Sequence, residues 1–148
     1  MAKRIKVGNL YGIPLPNGKF AFGRIMQDAG IAIYSYIGTD VNDLPVNEEY
    51  QFIVGIYKTD INKDLIYIKN IPFESEELEW PPPSYIYDVI SGRYQIYHKG
   101  EIYSSCKERC IGLEAAAVWH TNHIIDRIMG DDKWGGILKP IDDENNFR

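Results

Sequence analysis

The sequence is poor in the residues from which chemical sites are usually assembled. Two cysteines and three histidines occur among 148 residues. The cysteines, Cys106 and Cys110, stand four apart, so a bridge between them would close a very short loop and restrict the unfolded chain little; both are expected as thiols. None of His98, His120 and His123 belongs to a metal motif such as H-E-x-x-H. His120 and His123, with Cys106, Cys110 and His98, are the residues from which a tetrahedral site would have to be drawn. Their spacing is poor for zinc, and no metal or other cofactor is expected. Positive charge is also in deficit: 16 Lys and Arg stand against 21 Asp and Glu, for a formal charge of -5. That balance disfavours a phosphate-tracking surface and nucleic acid as a partner, and suits a basic partner instead. No apolar run approaches the roughly 20 residues needed to span a bilayer. The amino-terminal MAKRIKVGN carries charge with no apolar stretch after it, so a cytoplasmic protein without membrane association is expected. Internal repeats are absent.

What the sequence does have is apolar and aromatic bulk. Hydrophobic residues make up 45% and aromatic residues 13%, with eleven tyrosines, a composition that leans to strands and argues against disorder. Its length fits a single domain, residues 1–148, with a loose acidic tail over 139–148.

The most specific stretch is residues 7–25, VGNLYGIPLPNGKFAFGRI. Pro16-Asn17-Gly18 suits a three-residue hairpin loop, with Pro16 in a type I turn and Gly18 as the left-handed residue of a bulge. In that register Leu15 faces Lys19, Pro14 faces Phe20 and Gly12 faces Phe22. Pro14, which has no N–H, then lands where the missing donor points away from its partner. The pattern predicts an edge hairpin whose aromatic rings cover a glycine and a proline, and it contains no catalytic constellation.

The same residues resemble the signature of the immunity protein 26 family of bacterial polymorphic toxin systems, which also bears an immunity/phosphotriesterase-like label. The resemblance lies in Lys6-Val7-Gly8, in Ile13-Pro14-Leu15 with Asn17-Gly18-Lys19, and in Phe20-Ala21-Phe22-Gly23-Arg24-Ile25. Looser echoes occur at Trp80-Pro81-Pro82 and Gly112-Leu113-Glu114. It implies a small cytoplasmic protein that binds and silences a cognate toxin, and it supplies no catalytic residues.

Further strands are predicted over 31–37, 50–57 (with a possible bulge at Gly55), 65–71, 85–90, 93–98 and 101–104, the last two joined by a tight turn at Lys99-Gly100. Residues 59–64 read equally as a turn or one helical coil. Residues 73–84 break the pattern with Glu74, Glu76, Glu77, Glu79 and Trp80, followed by Pro81, Pro82 and Pro83, which predicts a loop. From Ser105 the period changes. Ser105-Cys106-Lys107-Glu108 is a capping-box pattern, and 113–129 reads as the strongest helix, closed by Gly130. On its wheel Leu113, Ala117, Val118, Ile124, Ile125, Ile128 and Met129 share one side and Trp119 falls opposite. The expected fold is α+β: a curved antiparallel sheet or small β-barrel with a carboxy-terminal helix packed on it.

Four features are candidate sites. The carboxylates Glu74, Glu76, Glu77 and Glu79 beside Trp80 could enter a basic cleft of a partner and steer association, or could be solvated charges that keep the protein soluble. Trp119 could be an exposed contact residue, or core if the neighbouring 134–138 covers it. Glu114 falls near the centre of the helix's apolar side and needs a partner, for which Arg24 is the natural guess, the pair acting as a structural pin. Gly18 is structural through its turn. The function expected from all of this is occlusion of a cognate toxin domain without catalysis. The alternatives are a metal-dependent phosphotriesterase-like hydrolase, whose likeliest members would be Glu114, His120 and His123, and a small peptide-binding β-barrel module.

Overall fold

The computed structural model describes residues 4–131 and 140–141. Among them, consecutive apolar alternation from the signature onward builds β1 (Asn9–Pro14), β2 (Phe20–Ile25), β3 (Gly30–Tyr34), β4 (Tyr50–Ile56) and β5 (Ile66–Asn70), with α1 (Lys58–Asp64) between the last two. There follow a single 3-10 turn at Glu77–Glu79, then β6 (Ser84–Tyr87), β7 (Tyr94–His98), β8 (Glu101–Ser105), α2 (Lys107–Cys110), β9 (Glu114–Ala115), β10 (Val118–Trp119) and α3 (Thr121–Ile128). The fold is α+β, with a six-stranded sheet ordered β10-β4-β3-β2-β1-β5 and a four-stranded sheet ordered β8-β7-β6-β9. Neither sheet closes on itself, so the small barrel considered from the sequence is not formed.

The first hairpin adopts the register its turn chemistry requires. Pro14 pairs with Phe20 and Gly12 with Phe22, Leu15 N–H donates to Lys19 O at 2.9 Å, and Gly18 sits at φ +82°. The hairpin is not at the edge, however. β5 pairs along the other side of β1, from Asn9 to Gly12, and stops there. The missing donor of Pro14 is therefore tolerated because the outer strand ends two residues short of it. No bulge occurs at Gly55. The irregularity between β3 and β4 lies at Ile33/Tyr34, where Phe52 and Tyr50 are the successive partners and Gln51 is the extra residue. The hairpin at Lys99-Gly100 places both residues at positive φ, +52° and +83°, as a tight two-residue turn demands.

Alternation gives the six-stranded sheet two apolar faces. On one, Tyr11, Ile13, Ile25, Ile31, Ile33, Phe52, Val54 and Ile56 pack beneath α1 and α3 through Ile61, Ile124, Ile125 and Ile128. On the other, Leu10, Phe22 and Tyr34 gather Phe20, Leu44, Tyr50, Ile68 and Ile71. The four-stranded sheet keeps a smaller cluster of Tyr85, Ile96, Cys110 and Ile141. Cys106 and Cys110 are both free thiols. The acidic tail residues Asp142, Asp143 and Glu144 lie outside the described residues; Ile141 is buried and bridges to Ile111.

The largest departure from the sequence reading is at 113–129. Only Thr121–Ile128 is helical; the alanine-rich stretch before it is extended and crosses from one sheet to the other. Glu114 and Ala115 pair in parallel with Ser84 and Tyr85, Ala116 N–H donates to Tyr85 O, and Val118 and Trp119 then pair in parallel with Gly55 and Ile56. Two open strand edges offer these residues backbone partners along β6 and β4, which outweigh the few tenths of a kcal/mol per residue by which Ala and Glu prefer a helix. The helical turn α2 does form after Ser105-Cys106, with Cys106 extended as its cap and no side-chain cap bond.

Candidate functional site

The acidic loop is held at one end by Arg24 of the signature hairpin and at the other by Gln27 of the turn that follows it. At its root, Arg24 is 5% exposed and donates from Nε and Nη2 to Ile71 O, from Nη2 to Pro72 O, and from Nη1 to Glu48 Oε1 at 2.6 Å. The Phe73 ring lies over its guanidinium at 3.7 Å. Tyr34 and Tyr50 donate their hydroxyls to the same Glu48, and burial raises the pKa of both phenols. At the far end, Gln27 N–H donates to Glu79 O and Gln27 Nε2 to Glu79 Oε1. Glu77 is bound by Lys99 Nζ at 2.9 Å, which pulls its carboxyl below the usual range, and Lys99 also stands 5.8 Å from the Trp80 ring centroid. Glu74 and Glu76 are exposed and make no ion pair among the described residues.

Beside this loop a cleft of about 340 Å³ opens between the two sheets. The three prolines form one wall, the crossing residues 115–118 another, and Asp28, Gly30, Gly55, Tyr97, His98, Lys99 and Glu114 complete the lining. Gly55 is what lets the crossing segment come so close. A Cβ there would stand 2.9 Å from Ala117 O, so a larger residue would push β10 off β4. Two of the charged groups in this lining, Glu114 and Lys99, are already answered. Arg127 grips Glu114 with two bonds of 2.8 Å, and Lys99 is taken by Glu77. Asp28 accepts from the Tyr97 hydroxyl, a bond that joins the four-stranded sheet to the β2–β3 turn and raises the pKa of that phenol.

The expected pairing of Arg24 with Glu114 is therefore not made. Each has a different partner, Glu48 for Arg24 and Arg127 for Glu114, because the strand conformation at Glu114 turns it toward α3 on the helix-covered face. Both charges are nonetheless pinned, as buried charges must be. Trp119 is 2% exposed in the main core, with Arg127 above it at 5.5 Å, so it is not a surface contact residue; the wheel that put it outside assumed a helix that is absent there. Residues 134–138, proposed as its cover, lie outside the described residues.

The histidines do not converge with the cysteines, and no group of three His, Cys, Asp or Glu among the described residues is placed to hold a metal ion. His120 instead stacks on Tyr57 at 4.3 Å and sets Nδ1 3.0 Å from Asp60 Oδ2. The same oxygen accepts from Thr121 N–H, so Asp60 of α1 caps α3 from another element, and these bonds hold its carboxyl below the ordinary range. Asp60, Asp28, Tyr97, Glu48 and Arg127 were not singled out in the sequence. Their contacts span long separations, which local sequence patterns do not mark.

The geometry defines a class: an α+β protein whose inner charged side chains, Arg24 with Glu48 and Arg127 with Glu114, form structural pairs beside an exposed acidic loop and an open cleft. The model for Immunity protein 26 matches residues 6–96, and the chain belongs to that family. The matched span takes in β1 to β6, the acidic loop and most of β7, and leaves β8 to α3 outside it. No curated protein and no solved structure matches the chain.

Proposed function

We propose that this immunity protein binds a cognate toxin domain in the cytoplasm and neutralises it by covering it, with no reaction of its own. Membership of the Immunity protein 26 family carries the reading. Two features of the molecule support it. The buried ionic groups serve the fold, Arg24 with Glu48 and Arg127 with Glu114, and the acidic loop is stapled at both ends while its outer carboxylates stay unengaged. A fixed loop loses little freedom on docking, and its charge would speed encounter with a basic toxin surface. No helix among the described residues is long and apolar enough to cross a membrane.

The test is binding of the toxin domain encoded beside this gene, followed by charge reversal at Glu74 and Glu76. Wild type should bind and protect, and Glu74→Lys with Glu76→Lys should slow association about tenfold at low salt and less at high salt. Unchanged association at both salt concentrations would remove the loop from the interface. Turnover of a phosphotriester by the purified protein with added divalent metal would replace occlusion by catalysis.

A further inference from the structure

We propose that the cleft between the two sheets receives a lysine or arginine side chain carried on an extended segment of the protein partner, with Asp28 taking its charge. This rests on the reading above only in naming the partner as the toxin. The walls are suited to an alkyl stem: Pro81, Pro82 and Pro83 on one side, Ala115, Ala116 and Ala117 on the other. At about 340 Å³ the space exceeds one side chain and leaves room for the main chain that carries it. Charge decides what the head group must be. Glu114 has both oxygens occupied by Arg127, and Lys99 is balanced by Glu77. Of the two lining carboxylates, Asp28 and Glu114, only Asp28 makes no ion pair among the described residues, although Lys99 and His98 line the same cleft; its described side-chain bond is from the neutral Tyr97 hydroxyl to Oδ2, which leaves Oδ1 available.

Asp28 is also held in place before anything binds. It and Ala29 both adopt left-handed backbone, φ +61° and +58°, a conformation that L residues other than glycine adopt at a cost. Gly30 N–H bonds Gln27 O across the turn, and Ile56 N–H bonds Ala29 O, so the turn is fixed from β4 as well. The cleft supplies a backbone edge too. β10 meets β4 only at Gly55 and Ile56, and the preceding crossing residue Ala116 bonds to Tyr85 instead. Since Ile56 N–H points toward β3, alternation directs the main chain of Ile53 to the opposite side, into the cleft, ahead of the point where β10 begins. An extended segment can pair there while its basic side chain reaches Asp28.

The probe is a set of blocked tripeptides, acetyl-Ala-X-Ala-amide with X as lysine, arginine, norleucine or glutamate, titrated into labelled full-length protein and followed by amide chemical shifts. Lysine and arginine peptides should move the amides of Ile53, Gly55 and residues 115–117, with affinity about tenfold above norleucine. Asp28→Asn should abolish that preference. Asparagine tolerates left-handed backbone and still accepts from Tyr97, so the variant should keep its fold, which the unperturbed spectrum of the rest of the chain would verify. Equal response to lysine and glutamate peptides, or no response at these amides, would overturn the proposal. With the toxin domain itself, unchanged affinity for Asp28→Asn would also overturn it while leaving the immunity reading intact. If wild type fails to bind the toxin, the immunity reading falls, and the peptide titration still decides the cleft.

Discussion

The two sheets differ in how they are held. Every residue of β3 is buried, as are most of β1 and β2, and apolar clusters lie on both faces of their sheet. In the four-stranded sheet β6 and β7 bury one residue each and β8 buries none, with Ile102 and Tyr103 open to solvent. Packing therefore secures the first sheet, whereas the second depends on a small cluster and on what ties it to its neighbour: the crossing segment 114–119, the Arg127–Glu114 pair, and the Tyr97–Asp28 bond. A binding surface that spans both sheets rests on one firm side and one side that local opening can reach at lower cost.

The sharpest way to break this contrast is to empty each core in turn. Trp119→Ala should cost about 3–5 kcal/mol in urea unfolding and destabilise both sheets together, because Trp119 sits in the main core at the end of the crossing segment. Ile96→Ala should cost about 2–4 kcal/mol. In hydrogen exchange its effect should fall on β6, β7 and β8 while β1 to β3 keep their protection; equal loss of protection everywhere would make the molecule one cooperative unit.

The two arginines sharpen the comparison further. Arg24→Ala strips donors from the Ile71 and Pro72 carbonyls as well as from Glu48, and should cost about 2–3 kcal/mol. Arg127→Ala, which removes a single carboxylate's partner, should cost about 1 kcal/mol and raise exchange in β9 first.

Asp60 gives a smaller, pH-dependent effect. Its folded pKa lies below the ordinary value, so its contribution is present above the unfolded carboxylate range and is lost as the pH falls through the depressed folded value. Asp60→Asn should therefore be about 1 kcal/mol less stable than wild type near neutral pH, with the gap closing below about pH 4 in parallel denaturation curves. A gap that stayed constant with pH would mean that Asp60 acts by packing and not by charge.

The smallest effect has the opposite sign. Ala29→Gly relieves a left-handed alanine in the β2–β3 turn and should stabilise the protein by about 0.5–1 kcal/mol by thermal melting.

What was legible in the sequence follows the range of the interactions. The register of the first hairpin could be read because a proline, an asparagine and a glycine in succession admit few turns, and β3, β4 and β5 because alternation repeats within each strand. The residues between Gly112 and Thr121 misled for a physical reason. Their local preference is helical, and the backbone edges of β6 and β4 that capture them come from far earlier in the chain. The partner of Arg24 was missed likewise, since Glu48 lies in the polar connection between strands, where periodicity is silent. The acidic loop could be located but not its staples, and the cleft could not be read at all, as its walls come from five separate stretches.

The crossing segment also sets an order of events on the ribosome. The strands β1 to β5 emerge first and can assemble as soon as Asn70 is free, yet the flank of β4 that Val118 and Trp119 will cover stays bare until those residues are synthesised, several seconds later at usual elongation rates. During that interval the nascent protein displays an unpaired strand margin over a nearly finished core. Translation speed between Asn70 and Trp119 thus governs how long each new molecule is open to mispairing with its neighbours.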